Sequence, residues 1–191
     1  FCVVPNGGKY DDDNVSGKIG FEYDFAAQSM LYVTAKNGFR AGGLTAGTET
    51  TYKPEELTAY EIGTRNRFSD GRVQLNASAF YWDYQDQQLS QLQAYRVAGA
   101  LCNGCQTSYP FNVNGDLYGV ETDLQMLVGS SGTFNTNVLW TKGKLDSTPN
   151  LVNSAGVTGP LFNIDRYNLP EWSVNAGYDH RIAMANSGSL N

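Results

Sequence analysis

The sequence predicts an all-β protein: an antiparallel, up-and-down transmembrane β-barrel segment of about seven to eight long strands, with residues 1–191 forming one partial barrel domain. Three observations carry that expectation. Apolar and polar residues alternate with a period of two through runs of about ten residues, against a mode of about 5–6 for globular strands. Short turns and long connections alternate along the chain, which puts all short turns at one end of the sheet and all long loops at the other. Rings recur near the strand ends, at Phe25, Phe39, Phe68, Tyr81 and Trp140, where girdles at two membrane interfaces would place them.

Residues 1–14 read as loop, with a proline, a glycine pair and an acidic run. Asp12, Asn14, Ser16 and Gly17 imitate the start of an EF-hand loop, but Tyr23 occupies the position that needs a bidentate Glu. A strand follows from Val15, with Ile19, Phe21, Tyr23 and Phe25 facing away from Lys18, Gly20 and Glu22. After a turn at Ala26 to Ser29, Leu31, Val33, Ala35 and Phe39 alternate with Tyr32, Thr34 and Lys36. Residues 41–57 are rich in Gly and Thr and read as a long loop. GFRAGG within this region lacks the phosphate-cradle spacing and precedes no helix.

The clearest hairpin spans Tyr60 to Trp82. Tyr60, Ile62, Thr64 and Phe68 oppose Glu61, Gly63, Arg65 and Arg67; after Ser69-Asp70-Gly71, Val73, Leu75, Ala77, Ala79 and Tyr81 oppose Gln74, Asn76, Ser78, Phe80 and Trp82. Asp-Gly is a hairpin signal because Gly accepts positive φ. Asp83 to Gln93 is Gln-rich and extends the second strand beyond the sheet, whereas 94–115 read as loop, with CNGC, Pro110 and Asn-Gly. Tyr118, Val120, Thr122, Leu124 and Met126 then oppose Gly119, Glu121, Asp123 and Gln125. A tight turn at 129–132 leads into Phe134, Thr136, Val138 and Trp140, which oppose Asn135, Asn137 and Thr141. Residues 143–170 read as a third long loop, and Trp172, Val174, Ala176 and Tyr178 begin a fourth hairpin with its turn at 183–189.

Composition limits the function classes. A net charge of −6 without a basic stripe argues against nucleic acid as partner. No run approaches the ~18 apolar residues of a membrane-spanning helix, which leaves a barrel open. Cys102 and Cys105 are expected to form a local disulfide across CNGC; half of a zinc site is the alternative, but there is no second CxxC and His180 is the only histidine. Cys2 has no visible mate. Neither metal nor cofactor is expected. The sequons at Asn14 and Asn76 read as incidental, the second lying inside a strand.

Four stretches together resemble barrel segments of TonB-dependent outer-membrane receptors: KIGFEYDFAAQSMLYVTAKNGFRAGG, YKPEELTAYEIGTRNRFSDGRVQLNASAFYWDYQDQQL, LYGVETDLQ and LPEWSVNAGYDHRI. The likeness runs from about Gly17 to Arg181 and follows the usual order of such segments. It implies a Gram-negative outer-membrane protein whose barrel holds an N-terminal plug. It also implies import of a scarce ligand (a ferric siderophore, haem, cobalamin or a carbohydrate) driven through TonB. Plug, TonB box and terminal aromatic strand are not seen, and such a receptor needs about 22 strands. The sequence is therefore expected to be an interior piece, coupled to TonB through the missing plug region.

Under that reading, ligand contacts come from the long-loop end and the lumen face, with Arg40, Trp82, Tyr95 and Arg96 as candidates. Glu61, Arg65, Arg67, Glu121 and Asp123 are expected to line the lumen as structural residues, the glutamates pairing with Arg65 or Arg67. A complete small barrel with a structural or adhesive role is a second hypothesis. A soluble carbohydrate-binding β-sandwich with exposed Tyr and Trp is a third. An enzyme is the weakest, since one histidine and no GxSxG elbow supply no readable catalytic set.

Overall fold

The structure, a computed structural model, describes residues 9–44, 51–97, 100–146, 150–152, 158–160, 169–183 and 189–190. Within them the side chains of 91–107, 109, 150–152, 158–160, 183 and 189–190 lie outside the description. Alternating sequence becomes one antiparallel meander. Its strands are β1 (Lys18–Ala26), β2 (Ser29–Arg40), β3 (Glu55–Phe68), β4 (Val73–Val97), β5 (Ala100–Val128), β6 (Gly132–Leu145) and β7 (Trp172–His180). Each strand pairs with its neighbour in sequence, giving a seven-stranded sheet. No described helix is long and apolar enough to cross a membrane.

Three short turns, at 27–28, 69–72 and 129–131, share one end of the sheet. The β3–β4 turn is more demanding than an Asp-Gly step alone, since Ser69 (φ 53°) and Asp70 (φ 54°) are left-handed together with Gly71 (φ 84°). Asp tolerates that region better than most residues because its short polar side chain can bond locally.

At the other end the structure corrects the loop expected at 94–115. β4 and β5 run on as a paired hairpin, out to Val97 opposite Ala100. Glycine and proline misled the reading because β5 pairs with β6 only from Gly115 onward. Beyond the Asp146 N–H to Asn114 carbonyl bond that ends this pairing, the only ladder partner of β5 among the described residues is β4, so Pro110, opposite Ser90, can turn its missing N–H to the free edge. Two irregularities absorb the remaining misfits. Gln85 and Asp86 face the single residue Asn114, and Cys102 to Cys105 face the single residue Tyr95. The other loops are partly structured too. β3 begins at Glu55, Gly43–Leu44 pairs with Thr51–Tyr52, and Asn150–Val152 pairs with Thr158–Pro160.

Register sorts the side chains into two faces. On one face Phe21, Val33, Ile62, Ala79, Val120, Trp140 and Trp172 form an unbroken row across all seven strands. All of them but the half-buried Trp140 are exposed: Ile62 is 49% accessible, Val120 43% and Trp172 62%. Tyr60, Tyr81 and Tyr118 form the next row toward the long loops, while Phe68, Val73, Met126, Phe134 and Tyr178 form a row near the short turns. From Tyr60 to Phe68 is about 27 Å along the strand at ~3.4 Å per residue, and barrel tilt reduces this to roughly 20 Å, near the ~25 Å apolar band of a spanning barrel. The buried apolar residues lie instead on the opposite face toward the long loops: Ala59, Phe111, Val113, Leu117 and Leu145.

Candidate functional site

The opposite face carries the polar chemistry. Glu61, Arg65, Arg67, Glu121 and Asp123 all occupy it, because each lies an odd number of residues from the apolar row on its own strand. The expected Glu–Arg pairing does not occur. Glu61 Oε1 instead accepts the hydroxyl of Tyr32 at 2.6 Å, and the Arg65 guanidinium lies over the Tyr32 ring, 5.3 Å from its centroid. Arg67 Nε donates to Gln74 Oε1 at 3.3 Å. The reason is strand geometry: Glu61 and Arg65 are four residues apart, about 13 Å on a strand, whereas the same spacing brings side chains together on a helix.

Glu121 and Asp123 share one donor. Asn137 Nδ2 bonds Glu121 Oε1 at 3.1 Å and Asp123 Oδ1 at 2.9 Å. Asn137 and Tyr32 were visible only as members of the polar face. Their roles follow from cross-strand register, which places Asn137 beside Asp123 and Tyr32 beside Gly63. Gly63 is what admits the ring, since a Cβ there would stand 2.5 Å from Tyr32 Cζ. Gly119 serves Phe80 likewise, a Cβ meeting Phe80 Cζ at 2.7 Å.

Among the described residues, hollows indent this face. One of about 850 Å³ lies at the short-turn end, lined by Asp24, Met30, Arg65, Arg67, Gln74 and Asn76. A second, about 630 Å³, is lined by Asp123, Gln125, Asn135, Asn137 and Asn175. The third, about 440 Å³, is the apolar one: Phe80, Trp82, Leu117 and Leu139 line it beside Glu61 and Glu121. Trp82 sits in a ladder of rings, 5.2 Å from Phe80 and 6.4 Å from Tyr84 between centroids.

The four ligand candidates are not brought together. Trp82 lines the third hollow, and Arg40 ends β2 opposite Glu55 on the same face. Tyr95 and Arg96 belong to the outer part of β4, about 43 Å of extended chain beyond Trp82 at ~3.3 Å per residue. Their side chains, and those of Cys102 and Cys105, lie outside the described residues. The ion pair found among the described residues, Lys53 Nζ to Asp86 at 3.2 Å, was not anticipated. It joins the β2–β3 loop to the β4 bulge, with Asn112 and Gln88 around it.

Comparison with known proteins follows the same architecture. The TonB dependent receptor-like β-barrel family model matches residues 3–190. No curated protein matches the chain. Among solved structures, the ferric yersiniabactin uptake receptor FyuA from Yersinia pestis aligns with TM-score 0.66 and 21% identity, over 95% of this chain and 25% of its own. The ferripyoverdine receptor of the outer membrane of Pseudomonas aeruginosa aligns with TM-score 0.57 and 13% identity, over 89% and 21%. The copper transporter OprC aligns with TM-score 0.54 and 17% identity, over 75% and 21%. The chain thus spans about a quarter of the length of the solved proteins it matches.

Proposed function

The chain belongs to the TonB-dependent receptor β-barrel family of Gram-negative outer-membrane transport receptors, and on that premise we propose that it forms part of the wall of a receptor importing a ferric siderophore. The observation that carries the proposal is the match of 95% of the chain to a ferric-siderophore uptake receptor. The two-faced sheet agrees with it: an exposed apolar belt suits lipid, and a hollowed polar face suits a water-filled lumen. Glu61, Arg65, Arg67, Glu121 and Asp123 are assigned to the lumen wall, and Arg40 and Trp82 to ligand contact near the outer mouth. Energy for import reaches this wall through TonB acting on a plug contributed by sequence outside these residues. No chemistry on the ligand is assigned to the chain.

The test is uptake by the full-length receptor in cells lacking other iron receptors. Ferric catecholates and hydroxamates, haem, cobalamin and an oligosaccharide are supplied in turn. The proposal expects TonB-dependent uptake of a ferric siderophore, reduced by Trp82→Ala. Uptake of only another probe, or uptake indifferent to TonB, would overturn it.

Cys102 and Cys105 are assigned a local disulfide. Ala94 faces Gln106 and Arg96 faces Leu101, so residues 102–105 stand opposite Tyr95 alone, an irregularity compatible with a bridge between residues three apart. Mass spectrometry of the alkylated protein should show both thiols blocked until reductant is added. Free alkylation of both without reductant would remove the assignment.

A further inference from the structure

Five residues beyond Tyr60 and Tyr81, on the long-loop side of the apolar belt, the β4 hairpin bends at Gln85–Asp86, with Asp86 left-handed at φ 49°. Around this bend, side chains of β4 and β5 hold the main chain of the β2–β3 loop. Asn112 of β5 accepts the Lys53 N–H at 2.8 Å and donates to the Lys53 carbonyl at 2.9 Å, closing a reciprocal pair of the kind a strand partner makes. The same amide donates to the Asp86 carbonyl at 2.6 Å.

Gln88 Nε2 reaches both feet of the loop, the Ala41 carbonyl at 2.8 Å and the Lys53 carbonyl at 3.1 Å, with a longer bond of 3.3 Å to Arg40. The Gln88 N–H donates to Glu55 Oε2 at 2.8 Å, and the Asp86 N–H to Asn114 Oδ1 at 2.8 Å. Lys53 Nζ lies 3.2 Å from both carboxylate oxygens of Asp86.

We propose that this Asn112–Gln88 clasp is a conformational device that fixes the bend of the outer hairpin and the base of the β2–β3 loop as one unit. Asn112 bonds main-chain groups of both the bend and the loop, and the exposed Lys53–Asp86 ion pair joins them a second time, so neither can shift while the Asn112 bonds persist. Arg40 and Glu55 stand at the feet that the clasp closes. Movement of the hairpin is therefore passed to the rim of the polar face. The clasp is a coupling of two elements through one shared set of bonds, and its strength is measurable without a ligand.

Hydrogen exchange of the full-length receptor in lipid nanodiscs tests it. Asn112→Ala should speed exchange of amides in 41–44 and 51–55 about tenfold, the effect of losing one or two net hydrogen bonds. Gln88→Ala should do the same in that loop, whose Lys53 and Ala41 lie 35 and 47 positions away in sequence. Combining the two should add little, because they break one unit. Asp86→Gly, which keeps the left-handed bend and removes the solvent-screened ion pair with Lys53, should leave the loop within about twofold. Exchange that rises only around 84–90 and 110–115, with 41–44 and 51–55 unchanged in both alanine variants, would overturn the proposal. Should Asn112→Ala fail to assemble, Gln88→Ala decides alone. Because no ligand is added, this result stands or falls separately from the uptake assignment.

Discussion

At the scale of single residues, the polar face is organised by space left at two glycines. The Tyr32 ring occupies the position that a side chain on residue 63 would fill, and from there its hydroxyl meets Glu61 while Arg65 covers its face. Gly63→Ala should therefore destabilise the receptor by about 1–3 kcal/mol, the usual range for overpacking, measured by urea unfolding in lipid vesicles. With Tyr32→Ala already present, Gly63→Ala should cost well under half as much, since the obstruction is gone. An unrelieved cost in the double variant would place the obstruction elsewhere. The sequence exposed little of this. Glu61, Arg65, Glu121 and Asp123 could be assigned to one face by parity alone, because period two needs no knowledge of neighbours. Their partners could not, because Tyr32 and Asn137 reach them across strands and only register decides which strands align.

At the scale of elements, alternation was legible wherever one face meets lipid, and failed where a hairpin leaves the belt. β4 and β5 beyond Asp83 need no apolar face; the extension of β4 through Gln93 was legible, but turn-forming composition in 94–115 concealed a backbone ladder that is continuous but for two bulges. The face assignment itself is testable within one strand. Ala79 lies in the apolar row between Ile62 and Val120, while the adjacent Ser78 lines the hollow beside Trp82. Arg at Ala79 should cost ~2–4 kcal/mol of folding free energy in vesicles, because a guanidinium near the midplane must be hydrated or drag water inward. Ser78→Arg should cost less than about 1 kcal/mol, since that side faces a water-accessible hollow. Reversed costs would mean that the sheet is turned inside out, and equal costs that neither face meets lipid.

At the scale of the whole molecule, the sheet is defined by what it leaves open. Among the described residues β1 and β7 each pair on one side only, and nearly every residue of both strands is exposed. An unpaired strand edge presents a row of N–H and C=O groups, which in hydrocarbon must be satisfied by another strand. Seven strands cannot supply that partner to themselves, since the smallest bacterial barrels close with eight and do so in even numbers. Residues 1–191 refolded alone in detergent should consequently associate through β1 and β7. Light scattering after size exclusion should find a mass that rises with concentration, without the heat-modifiable compact band of a closed barrel. Within the full-length receptor, the amides of β1 and β7 should instead be as protected as those of β3. A compact monomer formed by the isolated residues would mean that the sheet can close on itself, and would move the balance toward a small self-contained barrel.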